Sequence, residues 1–228
     1  MGKLFVIEGL DGSGKSTQVE LVEKELRRRG KDIMTVSFPD YASDSSALVR
    51  MYLNGDFGKD PGDVNAYAAS SFYAVDRYAS YKKNWKDFYH RENTVVLAAR
   101  YTTSNEIHQL AKLGQDAWDD FIEWLEDYEY GKLGIPKPDA VIYLDMKYEI
   151  AMSLVSGRSE KTGQKKDIHE LDTAYMQKCH KAAAFTAEKL GWYKIVCYEG
   201  DKPRSPESIT AAILNVLSET SDISEKKG

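Results

Sequence analysis

The stretch Gly9-Leu10-Asp11-Gly12-Ser13-Gly14-Lys15-Ser16 constrains this chain more than any other. Glycine, four residues, a second glycine, then Lys and Ser/Thr is the spacing of a phosphate cradle. Before it, Lys3 to Glu8 reads as a short buried strand. After it, Val19, Val22 and Leu26 recur at helical spacing. Glycines at 9, 12 and 14 let backbone N–H groups turn inward around an anion, and the following helix adds the positive end of its dipole. The expected ligand is a nucleoside triphosphate, with Lys15 bridging its β- and γ-phosphates and the Ser16 hydroxyl on Mg²⁺. Gly9, Asp11, Gly12, Ser13, Gly14 and Thr17 complete the phosphate-binding set.

The rest of the chain alternates between strand and helix patterns. The first helix ends in Arg27-Arg28-Arg29-Gly30, cations and a glycine that suit a helix C-terminus. Strands are expected at Asp32 to Phe38, Thr94 to Ala99, Ala140 to Leu144 and Lys194 to Cys197. From Val64, the positions Val64, Tyr67, Ala68, Ser71, Phe72 and Val75 form a helical stripe expected to face the core, with Tyr73 and Arg77 off it. Trp118, Phe121, Ile122 and Leu125 give an amphipathic helix with an acidic, solvated back. Ile150 to Val155 reads as a short helix broken at Gly157, and polar residues 156–168 read as a mobile flap. A helix from about Glu170 to Leu190 and a last one around Ile209 to Leu217 follow.

This order implies an α/β fold: a five-stranded, mainly parallel sheet with helices on both faces. One domain over 1–217 and a polar tail at 218–228 are expected. Ligands of such sheets bind at the carboxyl ends of the strands, which gathers Asp11 to Ser16, Phe38 to Tyr41 and Arg100 to Asn105. A net charge of −5 argues against a surface that wraps nucleic acid. Cys179 and Cys197 lack metal-ligand spacing and read as reduced residues of a cytoplasmic protein. No signal peptide or membrane-spanning run is expected.

A triphosphate loop does not name a reaction. The sequence has no Asn-Lys-x-Asp guanine reader, and the flap, together with a second ring of arginine and aromatic residues, suits a small phosphorylated acceptor. Further segments carry a resemblance: Phe38-Pro39-Asp40-Tyr41, Phe72-Tyr73-Ala74-Val75-Asp76-Arg77, Arg100-Tyr101-Thr102-Thr103-Ser104-Asn105 and Pro138 to Asp145. With Phe5 to Gly12 they make the chain similar, from Leu4 to about Val216, to the thymidylate kinases. These are P-loop enzymes of nucleotide-kinase type that phosphorylate dTMP to dTDP with ATP and Mg²⁺.

The resemblance implies residue roles. Asp11 approaches the acceptor sugar and phosphate, and Glu8 helps hold the metal's water shell. Tyr73 stacks on the pyrimidine, with Phe72 as the rival stacker. Arg77 donates to a base carbonyl or, on the plainer reading, pairs with Asp76. Arg100 grips the acceptor phosphate. Phe38, Pro39, Tyr41, Ser104 and Asn105 line the acceptor pocket, and His108 falls where an aromatic screens the sugar. Arg158 supplies charge to the triphosphate, assisted by Lys161, Lys165 and Lys166, while Asp167 and Glu170 lie near the acceptor. A homodimer is implied as well.

Three positions depart from the family. Ala99 replaces an aspartate, Asp40-Tyr41 follows Phe38-Pro39 without the usual arginine, and Leu154 stands where an arginine stacks on adenine. Three readings therefore stand: a dTMP kinase, a kinase for another pyrimidine nucleotide or nucleoside, and a nucleotide-binding paralogue of low activity.

Overall fold

The computed structural model describes residues 1–162 and 172–221, with the backbone alone over 156–162 and at 221. Its centre is a parallel sheet of β1 (Lys3–Glu8), β2 (Asp32–Ser37), β3 (Thr94–Ala99), β4 (Ala140–Asp145) and β5 (Tyr193–Val196) in the order β2-β3-β1-β4-β5. A parallel sheet is covered on both faces, so its central strand reads as a continuous apolar run. In β1, successive side chains divide between two cores. Leu4 and Val6 enter one cluster with Trp85, Tyr101, Phe121 and Ala183; Phe5 and Ile7 enter another with Val22, Leu26, Leu144 and Ile213.

Around the sheet lie α1 (Lys15–Arg28), α2 (Ala47–Leu53), α3 (Ala66–Ser80), α4 (Lys86–Tyr89), α5 (Thr102–His108), α6 (Trp118–Glu126), α7 (Tyr148–Thr162), α8 (Thr173–Lys189) and α9 (Pro206–Ser221). The strand expectations hold within one residue at each end. The short antiparallel pair β6 (Tyr198–Glu199) and β7 (Lys202–Pro203) was not foreseen. In α1's last turn, Arg27 pairs with Glu23, and Arg28 and Arg29 pair with Glu25. Trp118, Phe121, Ile122 and Leu125 of α6 are buried as expected, and both cysteines are free and buried.

Two expectations are corrected. Helix α7 does not break at Gly157 but runs on to Thr162. A single helical glycine costs only about 1 kcal/mol, and the neighbouring Leu, Met, Arg, Glu and Lys are strong helix formers. In α3 the fully buried face is not the expected stripe, of which Val64, Ala68, Ser71 and Phe72 are half-buried. Tyr67 and Val75 are exposed, whereas Ala69, Ser70, Ala74, Asp76 and Arg77 are buried. Small side chains let α3 approach its neighbours closely, and the two charged residues find buried partners. Asp76 accepts the Asp40 N–H and the Ser45 hydroxyl, so it does not pair with Arg77.

Candidate active site

The phosphate loop joins β1 to α1. Gly12 and Gly14 have φ of 80° and 90°, the left-handed region that a side chain rarely tolerates. At Gly12 a Cβ would also lie 2.3 Å from the Ala151 carbonyl oxygen, so the loop packs directly on the α7 backbone. The first helical bond runs from the Gln18 N–H to the Gly14 carbonyl, which leaves the amides of the first turn directed at the loop. Lys15 Nζ donates to the carbonyls of Gly9 and Leu10, at 2.7 and 2.8 Å, and stands 3.8 Å from Asp11 Oδ1.

Two loop amides are engaged within the protein, one by a side chain and one by the backbone. The Gly9 N–H donates to Glu8 Oε1 and the Ser13 N–H to the Leu10 carbonyl. Glu8 itself is fully buried. Its Oε2 accepts from the Thr103 and Ser104 hydroxyls, both at 2.7 Å, and its Oε1 lies 3.6 Å from Arg100. It therefore ties the loop to the start of α5, its carboxylate engaged by these groups.

Across the strand ends lies Arg100, in left-handed backbone at φ 64° just beyond β3. Its Nη2 donates to Asp11 Oδ1, and its Nη1 reaches Ser104 Oγ at 3.4 Å and His108 Nε2 at 3.3 Å. Burial works against this cation, but Asp11 and Glu8 outweigh burial and hold it charged. Asp11 Oδ1 thus stands between Lys15 and Arg100, two cations on one cleft of about 510 Å³.

The same cleft is lined by Ser16, Phe38, Pro39, Tyr41, Tyr73, Arg77, Ala99, Ser104, Asn105 and His108. Arg50, which the sequence reading did not assign, also lines it; its Nη1 is held by the Tyr41 and Ser43 carbonyls. Phe72 is not among the lining residues, because its ring packs on Tyr52 and Phe57. Tyr73 stands edge-on to Tyr52, and Lys112 donates to the Tyr52 hydroxyl from behind. Burial brings the Lys112 pKa down to about 7.

At the floor, Arg77 is 1% exposed and pairs with the fully buried Glu129 through Nε at 2.7 Å and Nη2 at 2.5 Å. Glu129 also accepts from the Thr102 hydroxyl and from Asn105 Nδ2, while Arg77 Nη1 donates to the Tyr101 carbonyl. Burial opposes the Arg77 charge, and Glu129 overcomes it. Glu129 was missed by sequence reading. It lies in a π-helical turn after α6 (Asp127–Lys132), and its only sequence signal is an acid between Tyr128 and Tyr130. Arg158 lies on α7 with its side chain outside the described residues, as is that of Lys161. Lys165, Lys166, Asp167 and Glu170 fall outside them altogether.

A phosphate loop at the carboxyl edge of a parallel sheet, facing an arginine across a cleft with a polar floor, defines a P-loop phosphotransferase acting on a small phosphorylated acceptor. The family model for thymidylate kinase matches residues 7–199. A thymidylate kinase of Mycobacterium tuberculosis (strain H37Rv) is 31% identical over 191 residues, covering 83% of this chain and 87% of the relative. One of Caenorhabditis elegans is 29% identical over 213 residues, covering 88% and 84%. The solved thymidylate kinase of Candida albicans superposes with a TM-score of 0.72 at 20% identity, covering 98% of this chain and 94% of that one, which speaks to the fold. The chain belongs to the thymidylate kinase family. Its reaction is the ATP-dependent phosphorylation of dTMP to dTDP.

Proposed function

We propose that dTMP lies in the cleft with its phosphate on Arg100 and its ring against Tyr73, while ATP places its phosphates on the loop at Gly12 to Thr17. The observation that carries this reading is the shared carboxylate. Asp11 Oδ1 bonds Arg100 and stands 3.8 Å from Lys15 Nζ, so an acceptor anion and a donor anion on those cations would be neighbours. Transfer then needs positioning and charge neutralisation, not a covalent intermediate. An oxygen of the dTMP phosphate attacks the γ-phosphorus, the bond from that phosphorus to the β–γ bridging oxygen breaks, and ADP leaves. Arg100 draws charge from the attacking phosphate, and Lys15 from the leaving one. Asn105, whose Nδ2 is taken by Glu129 and the Ser70 carbonyl, turns its Oδ1 acceptor to the N–H edge of thymine. Arg77 meets a ring carbonyl.

A magnesium ion fits this donor set. The exposed Ser16 hydroxyl, in the first turn of α1, and Asp11 through water are the oxygen ligands that would hold it. Among the described residues no three His, Cys, Asp or Glu side chains gather as a cage, the arrangement suited to a cation carried largely by substrate phosphates. Bound there, Mg²⁺ would neutralise charge on the β- and γ-phosphates. Arg158 supplies further charge from α7, residues 156–168 act as a lid, and Glu170 serves the acceptor side. The kinase domain spans 1–217 with 218–228 as a tail. The exposed Tyr67, Val75 and Tyr78 of α3 support a homodimer contact. No helix among the described residues is long and apolar enough to cross a membrane, in keeping with a cytoplasmic enzyme.

The test is ADP release with ATP and titrated Mg²⁺ against a panel of nucleoside monophosphates and nucleosides. Selective turnover of dTMP is expected. Turnover of a different acceptor, or nucleotide binding without turnover, would overturn the reading, the latter pointing to the missing carboxylate at Ala99.

A further inference from the structure

Among the described residues, four Lys and Arg side chains line the cleft: Lys15, Arg50, Arg77 and Arg100. Three of them face a carboxylate. Lys15 stands 3.8 Å from Asp11, Arg77 is locked onto Glu129, and Arg100 has both Asp11 and Glu8. Around Arg100 the formal charges therefore cancel, Lys15 and Arg100 against Asp11 and Glu8. A phosphate monoester brings about two negative charges at pH 7, and that quartet has no surplus cation to meet them.

Arg50 has such a surplus. It is half-buried on α2 and makes no ion pair among the described residues. Its anchor is Nη1 alone, which donates to the carbonyls of Tyr41 and Ser43 at 3.0 and 2.9 Å and to Ser46 Oγ at 2.6 Å. The Nε and Nη2 edge makes no hydrogen bond among the described residues. A guanidinium held at one nitrogen, with a two-donor edge open, is preorganised to take two oxygens of a phosphate at once. The tether also reduces the side-chain freedom lost when an anion binds.

The sheet order β2-β3-β1 arranges these cations across the strand ends. Arg50 follows β2 by way of Phe38 to Ser46, Arg100 follows β3, and Lys15 follows β1. Arg50 therefore belongs to the β2 side of Arg100, with the phosphate loop on the other side. Tyr41, whose carbonyl Arg50 holds, has a side chain close enough to Arg100 to bear on its charge. Arg50 itself lies outside the segments that carry the family resemblance.

We propose that Arg50 is a second anion-binding arm for the acceptor: its open Nε–Nη2 edge takes the monophosphate from the side opposite Lys15 and supplies the positive charge that Lys15, Arg100, Asp11 and Glu8 together lack. The role rests on dTMP being the acceptor. Because the arm meets the phosphate and not the ring, it should separate dTMP from thymidine.

The experiment measures dTMP affinity by calorimetry, with thymidine as the competing ligand, and KM for ATP by steady-state kinetics, for the unaltered protein, Arg50→Gln and Arg50→Lys. Arg50→Gln keeps a donor for the Tyr41 and Ser43 carbonyls but loses the charge. It should bind dTMP about tenfold more weakly, the size of one charge-assisted hydrogen bond, with thymidine affinity and KM for ATP changed by less than about twofold. Arg50→Lys keeps the charge without the fork and should bind dTMP within about threefold of the unaltered protein. Equal loss of dTMP and thymidine in Arg50→Gln would make the residue a tether of the Tyr41–Ser46 turn only and would overturn the proposal. Unchanged dTMP affinity in Arg50→Gln, or an Arg50→Lys variant no tighter than Arg50→Gln, would overturn it as well. Failure of the unaltered protein to bind dTMP would instead remove the acceptor assignment, and this role with it.

Discussion

Replacing Glu129 with Ala tests the cleft floor, because four donors converge on that carboxylate. Arg77 supplies two of them, Thr102 and Asn105 one each, and both members of the ion pair are buried. Removing one partner of a buried pair costs about 3–5 kcal/mol, since the remaining charge is left without compensation. For a chain of this size each kcal/mol moves Tm by about 2–4 °C, so Glu129→Ala should melt roughly 6–20 °C lower. The double variant Arg77→Met/Glu129→Leu removes both charges and should recover at least half of that loss, because apolar replacement of a buried pair is often near neutral. It should nonetheless show a raised KM for dTMP, since Arg77 is gone. Urea unfolding with fitted m-values, calorimetry and steady-state kinetics read all three quantities. A loss under about 1 kcal/mol in Glu129→Ala, or a double variant no more stable than the single one, would refute the argument that the pair is locked and desolvated.

Three more outcomes follow from single positions. Gly12→Ala places a Cβ against the Ala151 carbonyl in left-handed backbone, so kcat/KM for ATP should fall at least about tenfold, the kinetic equivalent of 1.4 kcal/mol; an unchanged value would show that the loop yields freely. Burial, with Glu126 and Glu129 adding to it, raises the Glu106 carboxyl to about 8 from an ordinary value of 4.5. Its folded pKa is the higher one, so its contribution to stability is complete below pH 4.5 and declines by roughly 1.4 kcal/mol per pH unit until about pH 8. Glu106→Gln should remove that slope in chemical denaturation, and an unaltered slope would assign it to other groups. Ala99→Asp should lower the Mg²⁺ concentration needed for half-maximal rate or raise kcat; no change in either would show that the strand-end carboxylate is not needed.

What could be read from the sequence depends on how local the physics is. The phosphate loop was legible because its glycines, Lys15 and Ser16 are fixed by spacing along a few residues. The strands were legible because burial on both faces leaves apolar runs such as Val95 to Ala98. Glu129 was not, because its partners Arg77, Thr102 and Asn105 lie 52, 27 and 24 residues away. The inward face of α3 was misread for a related reason. Hydrophobicity favoured Tyr67 and Val75, but small residues and two partnered charges took the interior. The bonds from Thr103 and Ser104 to Glu8, almost a hundred residues apart, carried no sequence signal either. Long-range pairing is the information a linear pattern lacks.

The most direct measurement is a crystal structure of the protein with dTMP and a non-hydrolysable ATP analogue. The account predicts the monophosphate within hydrogen-bonding distance of Arg100, the pyrimidine against Tyr73 with Arg77 and Asn105 at its edge, and the triphosphate over Lys15. A monophosphate lodged elsewhere, with Arg100 still engaged by Asp11 and turned away from it, would contradict it.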